Sequence, residues 1–266
     1  MTVQDADGNR FSSYWWDATP MLKDLNIKDC GEIAFKRAMS QIGPVKIESG
    51  KYSMVIESEV ASRLVTPVLN ALGGYSLQQK NSFMLDSLGK KMFPEWLNIW
   101  DRPVSVGETG SRLFDSEGVA TAEMPIVENG VVKEYFVNTY MSRKMGVEAT
   151  VEDATRPVVL PCFAPSVAEP VEATCGKEEL MRIVGEGILV TGFNGGNSNS
   201  ATGDFSFGVE GFLFKDGKIV HPVREMLITG NLLTLWNNLL AAGNDARFCK
   251  SKLIPTLAFG NVDFSA

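Results

Sequence analysis

The sequence predicts an α+β fold built mainly on antiparallel sheet. Two segments carry most of that reading. Residues 125–137 (PIVENGVVKEYFV) and 211–223 (GFLFKDGKIVHPV) place Asn129-Gly130 and Asp216-Gly217 between β-branched or aromatic runs, the pattern of tight hairpins whose turns need positive φ. A third observation is negative. Strand and helix patterns do not alternate regularly and no fixed-period repeat exists, which argues against a parallel α/β sheet or a solenoid.

The elements follow in order. Up to residue 24 the chain is polar and aromatic by turns, with no strong helical period, and reads as a linker or strand segment; residues 25–266 read as one domain. Asn26 or Asp29 can cap a first helix over 29–41, ended by Gly43-Pro44. KYSMVIE (51–57) is a strand. Ser58 can cap the next helix, in which Val60, Leu64, Val68 and Leu72 recur every fourth residue; Pro67 kinks or splits it and Gly73-Gly74 stops it. NTYMSRKMG (138–146) and KEELMRIVGEG (177–187) are short helices, and the four prolines of 156–170 keep that stretch extended and irregular. Along DFSFGVEGFLF the apolar parity shifts across Glu210-Gly211, which predicts a β-bulge. GNLLTLWNNLLAAGND (230–245) is the strongest helix pattern. Leu232, Leu235, Trp236, Leu239 and Leu240 share one face, Asn231 caps the start, and Gly243 or Asn244 ends it. TLAFGNVDF closes the chain as a strand.

Composition narrows the function. With 266 residues the chain can bury a full core, and 44% hydrophobic with 21% charged residues is ordinary for a globular protein. No apolar run approaches the ~18–20 residues of a membrane-spanning helix. The N-terminal twenty residues lack the apolar core of a signal peptide. The net charge of −7 and the absence of a Lys/Arg cluster disfavour direct nucleic-acid binding. Cys30, Cys162, Cys175 and Cys249 are scattered, with no C-x-x-C, and read as buried reduced thiols of a cytoplasmic protein.

Few chemical motifs survive inspection. A Ser-His-Asp or Cys-His arrangement must use His221, the single histidine, and no G-x-S-x-G elbow exists. After KYSMVIE, where a helical H-E-x-x-H pair is sought, the chain reads ESEVASRLV. Glu57 and Glu59 are two apart, point in different directions, and read as a solvated helix entrance. Asp115 and Glu117 can share a strand face for acid–base work or a divalent cation, or belong to a plain DSEG turn. The glycine-rich stretch 192–214 lacks G-K-[ST], and a strand, not a helix, follows it. It reads as a loop feeding the bulged strand, with Phe205 and Phe207 facing the core. Its candidate role is to hold extended peptide backbone through Asn194, Gly195, Gly196, Asn197, Ser198, Asn199 and Asp204. A connector rich in turns is the plain alternative.

At this stretch the sequence resembles a known family. TGDFSFGVEGFLFKDGKIVHPVREMLITGNL is similar to the signature of the PmbA/TldD family, long labelled modulators of DNA gyrase. ESGKYSMVIE, GSRLFDSEGVATAEMPIVENGVVKEYFVNTYMSRKMG, EGILVTGFNGG and IPTLAFGNVDFSA resemble further parts of its C-terminal half. The resemblance implies that 1–24 comes from a domain junction and 25–266 is the C-terminal type of domain. TldD-like members are metallopeptidases that carry H-E-x-x-x-H after the first of these strands and a cysteine near the C-terminus as zinc ligands. Here ESEVASR has no histidine, and RFCKSKLIP around Cys249 lacks the glycine-rich context of the TldD ligand. The resemblance therefore implies a PmbA (TldE)-like subunit with no catalytic residue, metal or cofactor of its own. The implied partners are a TldD-like metallopeptidase subunit and a small unfolded peptide, with self-association compatible and neither nucleic acid nor membrane involved. The alternatives are a stand-alone binding or scaffold protein, and an independent hydrolase using carboxylates such as Asp115, Glu117 and Asp204.

Overall fold

The computed structural model describes residues 1–167 and 175–266. In chain order the elements are β1 (Thr2–Gln4), β2 (Arg10–Ser12), a 3-10 turn at Leu22–Asp24, α1 (Cys30–Met39), β3 (Gly50–Ile56), α2 (Ser62–Ala71), α3 (Gly74–Gln78), β4 (Ile99–Asp101), β5 (Met124–Glu128) and β6 (Val131–Val132). They continue with α4 (Thr139–Met145), β7 (Pro157–Val159), β8 (Cys162–Phe163), α5 (Lys177–Val184), β9 (Gly187–Ser198), β10 (Asp204–Lys215), β11 (Lys218–Asn231), α6 (Leu232–Asn237), β12 (Leu239–Ala242) and β13 (Leu257–Ser265). The fold is α+β, as the hairpin signals predict. No helix among the described residues is long and apolar enough to cross a membrane.

The main sheet runs β11-β10-β9-β3-β13-β12-β8, and β11 returns to pair with β13, so that five strands close into a ring. Every pairing in it is antiparallel except β3 with β9. A second sheet, β6-β5-β4-β7, and the β1-β2 pair complete the strands.

Strand alternation divides the interior in two. Met54 and Ile56, Ile188 and Val190, and Phe205, Phe207 and Val209 face a main core shared with α2, α6 and the four-stranded sheet. The intervening Val55 and Leu189, with Phe212 and Phe214, face a smaller core under α5, against Leu180 and Met181. Successive Cβ atoms on a strand point to opposite faces, so a strand apolar at both parities must be covered on both sides.

That alternation explains the shift of parity along β10. The register does break across Glu210-Gly211, as expected. The extra residues, however, lie in the neighbours: Thr191 on β9, and one on β11 where Glu225 has φ 58°. β10 itself keeps its phase. Its second half is simply apolar on both faces, with Leu213 against the main core and Phe212 and Phe214 under α5. Gly211 is required there because a Cβ would lie 1.8 Å from the Leu189 carbonyl oxygen. Gly211→Ala is expected to destabilise the fold by about 1–3 kcal/mol, the usual range for overpacking, measured by urea unfolding. A loss below a few tenths would show that β9 can move aside.

Both hairpin turns are as predicted: Asn129 and Gly130 have φ 50° and 75°, and Asp216 and Gly217 have φ 51° and 70°. The Asn138 side chain caps α4, accepting from Met141 N, and Gly146 ends it in the left-handed region at φ 69°. Other expectations are corrected. The helix over 230–245 starts at its Asn231 cap but stops at Asn237, and Leu239–Ala242 is strand β12. Pairing of β12 with β13 and β8 outweighs the helical propensity of LLAA. Ser58 caps nothing: its N–H donates to Thr256 Oγ1, and α2 begins at Ser62. Pro67 sits inside a continuous α2 rather than splitting it; α2 ends just before Gly73-Gly74, as expected, and Gly74 begins the separate helix α3. The proline-rich stretch is less irregular than expected, supplying β7 and β8; its residues 168–170 lie outside the described residues. Of the four thiols Cys30 is half-buried, and burial pushes Cys162 up to about 12 and Cys175 to about 11.

Candidate functional site

The candidate site lies where β3 leaves the sheet and turns into α2. Two carboxylates mark the turn. Glu57 and Glu59 are 6% and 7% exposed, so the expected solvated helix entrance is wrong. Burying a carboxylate is tolerated only with charged partners, and each has two. Arg37 on α1 donates to both Glu57 oxygens, Nη1 to Oε1 at 3.0 Å and Nη2 to Oε2 at 2.7 Å, and Lys177 Nζ adds 2.9 Å to Oε1. Glu59 takes Arg247 Nη1, Lys250 Nζ at 3.2 Å, and the Trp16 indole N–H at 3.0 Å. Trp15 lies between two guanidiniums, 4.0 Å from Arg247 and 5.3 Å from Arg37. These groups come from residues 15–16, α1, α5 and 247–250. Nothing in the local sequence around ESE signals them.

Charge follows geometry. Burial pushes the Glu57 carboxyl up, but the hydrogen bonds and charge of Arg37 and then Lys177 prevail and hold it below the ordinary carboxylate value. Burial lowers Lys250, only partly offset by Glu59.

This donor set does not fit a zinc ion. A metal ligand offers a free lone pair, whereas both carboxylates here are turned onto guanidinium and ammonium groups. Cys249 is pushed up by burial, away from the thiolate a metal binds. Among the described residues no group of three or more His, Cys, Asp or Glu side chains is placed to hold a metal ion.

Beside the turn opens a cavity of about 630 Å³, bounded by residues 12–14, α1, the β3–α2 turn, Lys177 and strands β9, β10 and β11. His221 lies on its wall, with Nδ1 near the carbonyl of Pro222. The candidate peptide-binding residues run away from this cavity. Asn194, Gly195, Gly196, Asn197 and Ser198 are not in a loop. They form the outer half of β9, paired with β10 on one side. On the other side β3 ends at Ile56, and the last bond from that direction is Glu57 N–H to the Val190 carbonyl. Beyond it no described strand covers this edge. Arg63 reaches it instead, donating to the Gly196 carbonyl at 2.8 Å.

Three of the predicted site residues have structural duties. Gly196 has φ 85°, and a Cβ there would lie 2.0 Å from Ser206 O, so its glycine is demanded by β10. Asn199 and Asp204 close the hairpin tip. Asn199 Oδ1 accepts from Ala201 N at 2.9 Å, and Asp204 accepts from the Thr202 hydroxyl at 2.7 Å and Asn231 Nδ2 at 3.0 Å. Asp204 thus bonds side chains rather than backbone N–H groups. Phe205 and Phe207 are buried and stacked, as expected.

The other acids do not converge. Asp115 accepts from the backbone of Glu117, Val119 and Glu152, and Glu117 from Thr139 N. They hold a turn and share no reacting centre.

Comparison with known proteins agrees with the motifs. A family model described as the PmbA/TldA metallopeptidase C-terminal domain matches residues 49–266. The chain is 30% identical over 263 residues to metalloprotease PmbA of Escherichia coli, an alignment covering 96% of this chain and 56% of that protein. A crystal structure of a modulator of DNA gyrase from Bacteroides thetaiotaomicron is 43% identical with a TM-score of 0.92, covering 100% of this chain and 58% of that one. TldE from Thermococcus kodakarensis shares the fold, with a TM-score of 0.76 at 20% identity over 91% of this chain and 56% of that one. The chain spans about half the length of the curated relatives it matches.

Proposed function

The chain belongs to the PmbA/TldD metallopeptidase family, and on that premise we propose that it is a PmbA-like, non-catalytic subunit of a peptidase complex. Its role is to help hold small unfolded peptides while a TldD-like partner supplies the metal. Residues 25–266 then correspond to the C-terminal type of domain, and the compartment is the cytosol, where the thiols stay reduced.

One observation carries the reading. The two acids that follow β3 are each bound by a pair of cations, so their charge is already neutralised and a zinc ion would have to displace those cations. The relatives named metalloprotease lend the class of reaction, and the missing chemistry argues for a division of labour between subunits.

The open edge of β9 supports peptide holding. Strand addition to such an edge uses main-chain hydrogen bonds and reads no side-chain sequence. Asn194, Asn197 and Ser198 add side-chain donors and acceptors along it. A peptide fixed in this way reaches a neighbouring zinc with less loss of translational and rotational freedom. Only an unfolded, narrow chain can enter as a strand, which sets the expected selectivity.

Elemental analysis of the purified chain is expected to find no stoichiometric zinc, and the chain alone is expected to cleave no peptide. An H-E-x-x-x-H protein is expected to co-purify from the native cell. One tightly held zinc per chain with chelator-sensitive cleavage would overturn the non-catalytic assignment. Co-purification of a partner that is no peptidase would favour a scaffold role.

A further inference from the structure

We propose that the cavity beside Glu57 receives the C-terminal carboxylate and apolar last side chain of the held peptide, with Arg63 as the residue that pairs the carboxylate. This rests on the peptide-holding role above.

Charge balance is the first observation. The whole chain carries −7, yet Arg37, Arg63 and Lys177 line this cavity against only Glu57 and Glu210. Glu57 is matched by Arg37 and Lys177, and Glu210 has Arg224 at 3.8 Å. Arg63 has no carboxylate partner among the described residues. Its guanidinium donates to one backbone carbonyl and lies 5.0 Å from the centre of the Phe207 ring. A small anion entering here meets an exposed guanidinium with no carboxylate partner, on Arg63.

Apolar surface is the second. Leu189, Phe193 and Phe212 wall the cavity, and Ile219 and Val220 at its rim are 50% and 56% exposed. The complementary ligand is therefore amphipathic, a carboxylate next to an apolar group.

Continuity is the third. The uncovered edge of β9 runs from Ser198 past Gly196 to Phe193 and Gly192, which line the cavity. Arg63 stands at the join, lining both this cavity and a second hollow of about 460 Å³ beside Asn197 and Ser198. A strand laid along the edge ends where the surplus positive charge lies. A chain terminus meets all three conditions at once.

Fluorescence anisotropy on the full chain tests this with labelled unstructured peptides of one sequence ending in leucine, as free acid and as C-terminal amide. A third peptide is amidated with aspartate as its last residue, so that its carboxylate is on the side chain. The free acid is expected to bind at least about tenfold more tightly than the amide, the scale of one charge-assisted hydrogen bond. Arg63 is exposed on the first turn of α2, so Arg63→Leu should keep the fold, checked by circular dichroism. In that variant the acid-to-amide ratio should fall to about one, and Arg63→Lys should restore part of it. Equal binding of acid and amide to the unaltered chain would overturn the carboxylate site and leave the peptide-holding role standing. An aspartate amide that binds like the free acid would overturn the assignment to the terminus. A preference that survives Arg63→Leu would remove Arg63 from it. No binding of any of the three would overturn the peptide-holding role as well.

Discussion

Glu57→Gln is expected to lower the unfolding free energy at pH 7 by about 3 kcal/mol, the lower end for breaking a buried ion pair. The variant leaves Arg37 and Lys177 in place with no countercharge, and it is their desolvation that sets the cost. The lower end applies because their side chains are 20% and 33% exposed. The effect depends on pH with a definite sign. The folded carboxyl is held below its ordinary value of 4.5, so its contribution is present in full above that pH and is lost as pH falls through the folded value. The gap between unaltered chain and variant should therefore be widest near neutrality and shrink progressively below pH about 4.5. Urea unfolding at several pH values measures it. A gap that widens on acidification would mean that Glu57 is neutral in the fold. Arg37→Met combined with Glu57→Gln should cost less than the sum of the singles, since the second change removes a charge already stranded by the first.

Trp236→Ala is the second large effect, about 3–5 kcal/mol. The indole is fully buried where α6 meets the main sheet. It meets Phe259 and Phe93 edge-on, with ring centroids 5.5 and 6.5 Å away, and its N–H donates to the Leu64 carbonyl in α2 at 3.3 Å. Alanine leaves a cavity between two sheets and a helix, and removes the indole bond to the Leu64 carbonyl. Trp236→Phe should cost less, because most of the volume stays filled. An alanine variant within about 1 kcal/mol of the unaltered chain would mean that α6 collapses into the space. Trp236 lines neither the cavity nor the hollow beside the β9 edge, so its variants separate stability from peptide binding.

Some of this could be read locally. The two turn dipeptides fixed their hairpins because positive φ is a property of Asn-Gly and Asp-Gly themselves. Asn231 marked a helix start because a cap bonds its own next few residues. The alternation of phenylalanines placed Phe205 and Phe207 inside for the same reason: period and facing are set within one strand. The family resemblance also rested on contiguous motifs, and the absence of a histidine at ESEVASR needed no structure to see.

Other features depend on segments far apart in the chain. LLAA is helical by propensity and becomes β12 only because β13 and β8 flank it with unpaired backbone groups. The parity shift in β10 pointed to a bulge at the right place but on the wrong strand, since register is a relation between neighbours. Asn199 and Asp204 looked like peptide ligands, yet their groups are taken up by Thr202, Ala201 and Asn231. Glu57 and Glu59 looked solvated because their four cations lie from 20 to 191 positions away. The sequence by itself determined conformations that a residue and its near neighbours decide: turns, caps, facing, and the absence of a histidine pair. Only the tertiary structure decided which carboxylates are buried, which cations neutralise them, and which strand edge stays open, because burial and pairing energies are set by distant groups brought together by folding.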